Sequence, residues 1–174
     1  VVERVNHMKF SLLDFPEGMV VDGASGTLRW TPSVEQTDAH RITAVVSDGY
    51  TKDEQTFEIY ANHLPTIVSN PPHMGLVGEL FKYQGRVDDK NENSQLEYTL
   101  MKGPHGMQMD RHGKIIWVPK AAQINNNSFE VAVSDGYGTD VQMGKVFVNN
   151  APTVISNPKP VGLTGHSWRY KMTT

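Results

Sequence analysis

The sequence contains no cysteine, and this absence excludes a disulfide scaffold and metal sites built on thiolates. It also lacks any apolar run near the roughly 18 residues that a membrane helix requires. Basic residues are not in excess, because 16 Lys and Arg stand against 19 Asp and Glu and the net charge is -3. Such a chain offers no basic surface to nucleic acid. We therefore expect neither nucleic-acid binding nor membrane insertion in this segment.

What the sequence does contain is an internal repeat. Residues 16–22 return as residues 104–110 with an offset of 88, and the Ser-Asp-Gly-Tyr motif at 47–50 returns at 134–137 with an offset of 87. The offset changes because the turn at 23–25 is one residue longer than its counterpart. A period of this length suits a small domain. The sequence therefore predicts a chain of repeated modules.

The register of the repeat predicts three segments. Asn62 matches Asn149, so residues 62–149 are expected to form one complete repeat. Residues 1–61 are expected to be the C-terminal part of a first repeat, and residues 150–174 the first strands of a third. On this interpretation the chain begins partway through one repeat and stops partway through another.

Short stretches of alternating apolar residues, separated by turn residues, fill each repeat. About seven such strands with no helical periodicity are typical of an antiparallel β-sandwich. The expected fold is therefore all-β, with tandem sandwich repeats of about 87 residues. The connections at 22–26 and 110–113 run from Asp to Gly, which predicts tight hairpins in which Gly supplies a positive φ. The predicted core positions are Trp30, Trp117, Tyr83, Tyr98 and Phe129.

The repeated motifs carry a resemblance to a known family. In chain order they are Pro-x-Gly-Met-x-x-Asp, Gly-x-Ile/Leu-x-Trp-x-Pro, Val-Ser-Asp-Gly and Asn-x-x-Pro-Thr. This pattern resembles the immunoglobulin-like domain found in tandem in bacterial surface proteins, which is related in pattern to cadherin-like domains of dystroglycan type. The resemblance covers essentially the whole chain. It implies an array of Ig-like or cadherin-like sandwiches in the bacterial periplasm, at the cell surface or outside the cell.

An acidic, amide-rich turn is a candidate calcium site. Its residues Asp88, Asp89 and Asn91, together with Asp135 from a Ser-Asp-Gly turn, could supply the hard oxygen ligands that calcium prefers. The alternative is a solvated turn, because Asp and Asn are favoured in turns for local hydrogen bonding. The linkers also lack the dense carboxylates of cadherin linkers. Calcium is therefore a possible cofactor, and no other cofactor is expected.

Catalytic patterns are missing from the sequence. No Gly-x-Ser-x-Gly, His-Glu-x-x-His or phosphate-binding loop occurs. The histidines do not recur in the repeat, since Asn127 stands opposite His40 and Glu17 stands opposite His105. A histidine-based metal or catalytic cluster is therefore not expected. The sequence predicts a protein that is not an enzyme.

Two functions from different classes fit these observations. The first is a structural or adhesive module of a long extracellular or cell-envelope protein, acting as a spacer, adhesin stalk or filament component. The second is an accessory module of a larger secreted enzyme or receptor that binds carbohydrate or protein. Tyr50 and Tyr137 are the repeated aromatics that could serve such binding. The expected partners are neighbouring repeats or other copies of the same protein, with surface glycans or envelope proteins as further candidates.

The two ends of the chain suggest a more specific hypothesis. Residues 150–174 repeat the opening of a unit, and residues 1–61 hold the rest of a unit without that opening. The tail of one chain could complete the head of the next by strand addition, which would give an open head-to-tail filament. The alternative is a segment cut out of domain register.

Overall fold

The computed structural model describes residues 8–174, and nearly all regular structure in them is β. None of their helical segments is long and apolar enough to cross a membrane, since the regular helix there is a single 3₁₀ turn at Ala121–Gln123. The strands in chain order are β1 (Lys9–Asp14), β2 (Val20–Val21), β3 (Leu28–Arg29), β4 (Asp38–Ser47), β5 (Lys52–Ala61), β6 (Thr66–Ile67), β7 (Met74–Leu76), β8 (Phe81–Gln84), β9 (Val87–Asp88), β10 (Glu97–Lys102), β11 (Gln108–Met109), β12 (Lys114–Trp117), β13 (Asn125–Ser134) and β14 (Thr139–Asn149).

The sequence repeat returns as a repeat of strands and pairings. The order β1-β4-β5 in one sheet corresponds to the order β10-β13-β14 in another, and the hairpin β2-β3 corresponds to β11-β12. In the later copy two further strands are added, because β7 pairs in parallel with β14 and β8 pairs in antiparallel with β12. A short pair, β6-β9, completes the set. The predicted all-β fold is confirmed.

The core of the later copy follows from alternation along its strands. Phe81 and Tyr83 of β8 are buried while their neighbours are exposed, and the same is true of Ile115 and Trp117 of β12. The rings of Phe81 and Trp117 meet edge to face with centroids 6.1 Å apart. Burial of each such side chain is worth about 1.5–3 kcal/mol.

The described residues fall into two compact units. Unit 1 contains residues 8–67, 87–97 and 133–140, and unit 2 contains residues 68–86, 98–132 and 141–174. Each unit is built from segments that are distant in sequence. The three continuous segments expected from the repeat, 1–61, 62–149 and 150–174, stay a prediction.

The expected strands in residues 150–174 are not formed. No residue after Asn149 belongs to a strand in the part of the chain that the structure describes. Strands β6, β7 and β8 at the equivalent positions of the complete repeat pair with β9, β14 and β12. Because a strand depends on hydrogen bonds to a neighbouring strand, the tail cannot form one without such a partner.

The predicted hairpin glycines are confirmed by their backbone geometry. Gly26 and Gly113 have φ angles of 72° and 76°, in the left-handed region that a side chain disfavours. Both also lie against an aromatic ring. A Cβ added at Gly113 would be 2.5 Å from Cδ1 of Tyr98, and one at Gly26 would be 3.0 Å from Cδ1 of Phe10. The glycines therefore serve both the turn and the close approach of the ring.

This double role predicts that Gly113→Ala destabilises more than an equivalent change at a turn without a ring. The backbone penalty is about 1–2 kcal/mol, and displacement of Tyr98 adds roughly 1–3 kcal/mol. The matched control is Gly106→Ala, where φ is 85° but nothing lies within 4 Å of the added Cβ. Urea unfolding of both variants measures the difference. Equal losses of unfolding free energy in the two variants would show that the Tyr98 ring does not restrict the space at Gly113.

Candidate functional site

Asn91 is the centre of a hydrogen-bonded cluster in unit 1. It is 5% exposed and is the buried polar residue of the described chain. It lies among the residues that join β5 to β6, the first residue of β4 and the turn between β13 and β14. We call Asp38, Asn62, His63, Asn91 and Asp135 the linker cluster.

The side chain of Asn91 uses all of its hydrogen-bonding groups for structure. Its Oδ1 accepts from the backbone N–H of His63 at 2.6 Å. Its Nδ2 donates to Oδ1 of Asp38 at 3.1 Å and to the carbonyl oxygen of Ala61 at 3.0 Å. The backbone N–H of Asn91 donates to Oδ1 of Asp89 at 3.0 Å. A buried amide satisfied in this way fixes the chain on both sides of it.

Asp38 begins β4 in a left-handed conformation, with a φ of 69°. Asp tolerates this region because its short side chain bonds locally. The hydrogen bond from Nδ2 of Asn91, together with that from the Tyr60 hydroxyl at 3.1 Å, holds the pKa of the Asp38 carboxyl below its ordinary value against the opposing effect of desolvation. Asn125 occupies the same position in the later copy and also has a positive φ of 85°.

Asp135 holds the linker from the opposite side. Its Oδ2 accepts from Nδ2 of Asn62 at 2.7 Å, and its Oδ1 accepts from the backbone N–H groups of Tyr137 and Gly138. Desolvation acts to raise the pKa of Asp135, but the hydrogen bonds from Asn62 and from these backbone groups outweigh it, so the pKa is lowered. Asp48 makes the same turn in the earlier copy through the N–H groups of Tyr50 and Thr51.

The linker is therefore tied at several points. Besides the bonds at Asn62 and His63, the backbone N–H of Ile67 donates to Oδ2 of Asp140 at 2.8 Å. Pro65 between them is buried. These contacts make the connection from β5 to β6 an ordered segment with few free rotations.

The four calcium candidates do not form one oxygen cage. Asn91 and Asp135 bind the linker, Asp89 accepts from Asn91, and Asp88 lies exposed on β9 opposite Thr66. Residues 8–174 contain no group of three or more His, Cys, Asp or Glu side chains that could hold a metal ion. The Nδ2 group of Asn91 donates to Oδ1 of Asp38 and to the carbonyl oxygen of Ala61, so the two candidates Asn91 and Asp135 both have structural partners.

The predicted core residues lie at different depths. Trp117, Tyr83 and Phe129 are buried, and the rings of Tyr83 and Phe129 have centroids 6.2 Å apart. Trp30 and Tyr98 are half-buried. Trp30 donates from Nε1 to the carbonyl oxygen of Glu17 at 3.2 Å, and burial raises the pKa of Tyr98.

The candidate binding aromatics are exposed. Tyr50 is 72% exposed and Tyr137 is 73% exposed. The ring of Tyr137 stacks on Tyr60, with centroids 5.9 Å apart and an angle of 25° between the planes. Sequence reasoning missed Tyr60, Asp38 and Asn62 as members of this region. The repeat does hold a signal for Asp38: its equivalent is Asn125, and Asp and Asn are the residues other than Gly that tolerate a positive φ.

Residues 64–149 match the model of a protein family described as "Putative Ig domain". Among solved structures, Drosophila OTK, extracellular domains 3-5, gives a TM-score of 0.58 at 9% identity, covering 82% of this chain and 51% of that one. Sidekick-1 immunoglobulin domains 1-4 give a TM-score of 0.57 at 11% identity, covering 85% of this chain and 42% of that one. These two likenesses show the fold alone.

A third structure is an endo-fucoidan hydrolase of glycoside hydrolase family 107, MfFcnA4. It gives a TM-score of 0.41 at 17% identity and covers 85% of this chain. This chain spans 24% of the length of that hydrolase. No curated protein sequence matches the chain.

The lowered pKa of Asp135 predicts a pH dependence of stability. The contribution of this carboxylate is fully present above the ordinary pKa of about 3.9 and is lost as the pH falls through the lower folded-state value. The variant Asp135→Asn cannot ionise, so its melting temperature should fall less than that of the wild type between about pH 4 and about pH 2. Circular dichroism melts provide the measurement, with the exposed Glu58→Gln as the control. An unchanged acid slope in Asp135→Asn would contradict the assignment.

Proposed function

We propose that the chain, whose residues 64–149 match the model of the family described as "Putative Ig domain", is a non-catalytic structural module of a longer protein. It serves there as a spacer, adhesin stalk or filament component, outside the cell or in the bacterial envelope. The observation that carries the proposal is the linker cluster, which binds the connection between β5 and β6 with side-chain hydrogen bonds.

A spacer holds neighbouring modules at a fixed separation, so the connection between them must be rigid. In this chain the connection from β5 to β6 is short and contains a buried proline. It is hydrogen-bonded to a carboxylate and to a buried amide. Each of these bonds contributes about 0.5–1.5 kcal/mol and is shielded from water in part. A connection of this kind suits a stiff array better than a flexible tether.

The chemistry of the cluster supports a structural role in another way. Both oxygens of Asp135 and all the polar groups of the Asn91 side chain are engaged with the backbone or with neighbouring side chains. These hydrogen bonds hold the connection from β5 to β6 with groups of the chain itself. The proposal therefore assigns the stiffness to hydrogen bonds within the chain.

A second candidate function has support from the aromatic pair Tyr60 and Tyr137. Two stacked rings, one of them largely exposed, form a flat apolar surface of the kind that packs against a sugar ring. An accessory module that binds surface glycans would use this surface. The hydrogen bond from Tyr60 to Asp38 gives the pair a structural purpose as well.

The structural proposal predicts the effect of Asn91→Asp. This change keeps the size of the side chain, removes the Nδ2 donor and sets a second carboxylate against Asp38, so it should cost about 1–3 kcal/mol of stability. The backbone order parameters of His63 and Leu64, measured by ¹⁵N relaxation, should be near 0.85 in the wild type and should fall towards 0.6 in the variant.

The matched control for this experiment is Asn93→Asp, the same substitution at an exposed position of the same loop. It should leave stability and linker order unchanged. Low order parameters for residues 62–64 in the wild type would refute an ordered linker and with it the spacer proposal.

The glycan-binding alternative predicts the effect of Tyr137→Ala. If the aromatic pair binds sugar, this variant should lose roughly tenfold or more in affinity for a retained polysaccharide, because stacking on an exposed ring is removed. Affinity electrophoresis in gels containing surface polysaccharides measures it, with Tyr50→Ala as the comparison at the equivalent turn. Absence of retardation for the wild type on every polysaccharide would leave only the structural role.

A further inference from the structure

The turn between β13 and β14 lies against the linker that joins β5 to β6, and both belong to unit 1. We call residues 134–138 the docking turn. Its contacts join three alternate residues of the linker segment to three residues of the turn: Tyr60 to Tyr137, Asn62 to Asp135 and Leu64 to Gly138. The first pair is a ring stack with centroids 5.9 Å apart, and the second is a hydrogen bond of 2.7 Å. The third pair is a close approach of a leucine side chain to a glycine.

Two of these contacts use residue types that recur in the repeat. The turn of the earlier copy also contains the Asp and the Tyr, at positions 48 and 50. The positions equivalent to the aromatic and Asn of the linker are again an aromatic and an Asn, at 147 and 149. The first two contacts are therefore common to the repeats of this chain.

The third contact uses residues that differ between the copies. Thr51 stands at the position of Gly138, and Ala151 stands at the position of Leu64. The two copies thus combine different side-chain sizes at one point of an otherwise repeated contact. A difference confined to one pair is suited to specificity, because it leaves the shared contacts unchanged.

The turn itself does not require glycine at its last position. The backbone N–H of Thr51 donates to Oδ1 of Asp48 at 2.7 Å, and that of Gly138 donates to Oδ1 of Asp135 at 2.7 Å. The Thr51 hydroxyl adds a further bond to Oδ1 of Asp48 at 3.2 Å. Gly138 also lies outside the left-handed region of backbone conformation. A threonine at position 138 is therefore compatible with the turn.

Leu64 is what requires a glycine there. A Cβ added at Gly138 would overlap Cδ2 of Leu64 and would lie 3.4 Å from its Cγ. The linker backbone is held next to this residue, since the N–H of His63 donates to Oδ1 of Asn91 and Pro65 is buried. A side chain at position 138 would therefore force the side chain of Leu64, already 57% exposed, away from the turn and into water.

We propose that the fit between residue 64 of the linker and residue 138 of the docking turn determines which repeats can be neighbours in a protein built of such modules. A turn that ends in Gly receives a linker with Leu at this position. A turn that ends in Thr, like that of the earlier copy, receives a linker whose residue here is as small as Ala. The mismatch of Thr with Leu is excluded by overlap, and an unfavourable contact of this kind gives selectivity.

The experiment introduces the residues of the other copy into the full chain as Gly138→Thr, Leu64→Ala and the double variant. Gly138→Thr alone should lower the equilibrium constant for folding roughly five- to thirtyfold, because Leu64 loses its place on the turn. In the Leu64→Ala background the same substitution should change that constant by less than about twofold. Urea unfolding gives the four constants, and the Leu64→Ala background is the matched control for any effect of threonine on the turn itself.

A second measurement reports the contact directly. In the wild type, a nuclear Overhauser effect should connect the δ-methyl protons of Leu64 with the Hα protons of Gly138. In Gly138→Thr the Leu64 methyl groups should lose their contacts with the docking turn, while the ring contacts of Tyr60 with Tyr137 should remain. This pattern would separate a local rejection of Leu64 from a general loss of the turn.

Equal losses from Gly138→Thr in the two backgrounds would overturn the inference, and so would the absence of the Leu64 contact in the wild type. The inference rests on the proposed structural role, and the two can fail separately. Low order parameters for the wild-type linker would refute the spacer proposal. An ordered linker with no coupling between positions 64 and 138 would instead describe a spacer whose connections do not select their neighbours.

Discussion

The apolar face of a β-sheet must be covered, and this constraint explains most of the difference between the two copies in the chain. Strands β7 and β8 cover the later copy, and there Ile115, Trp117 and Val146 are almost completely buried. The equivalent strands of the earlier copy pair in the same order but keep half-buried side chains around a groove. Backbone pairing is thus achieved without the cover, because ladder bonds are local to each pair of strands.

A second constraint concerns the polar groups of the linker. A backbone N–H that leaves a strand must find another acceptor when it is withdrawn from water. Asn91 accepts from the backbone N–H of His63 and Asp140 from that of Ile67, while Asp135 accepts from the side-chain amide of Asn62. The side-chain amide of Asn91 offers both donors and an acceptor, and it uses all of them in this segment.

The two constraints meet in the proposed role of the chain. In the proposed spacer, an ordered linker limits the motion between neighbouring modules, and the hydrogen bonds of the linker cluster supply that order. The buried side chain of Asn91 holds the backbone at His63 and Ala61.

Local features of this protein follow from the sequence alone. Alternation located the strands, and the Asp and Gly residues of the turns predicted the positive φ of Gly26 and Gly113, because these properties depend on near neighbours in the chain. The repeat also predicted that the two copies would have equivalent strands. The core was foreseen at Trp117, Tyr83 and Phe129, where residue type and alternation agree.

Only the tertiary structure decided how Asn91 is used and whether the tail forms strands. Asn91 bonds to His63 and Asp38, which are 28 and 53 residues away, and no pattern in a single sequence links such positions. The tail has the residues of β8 but not its ladder, because a strand exists only beside a partner. Sequence thus determines which pairings are possible, and three-dimensional proximity decides which of them form.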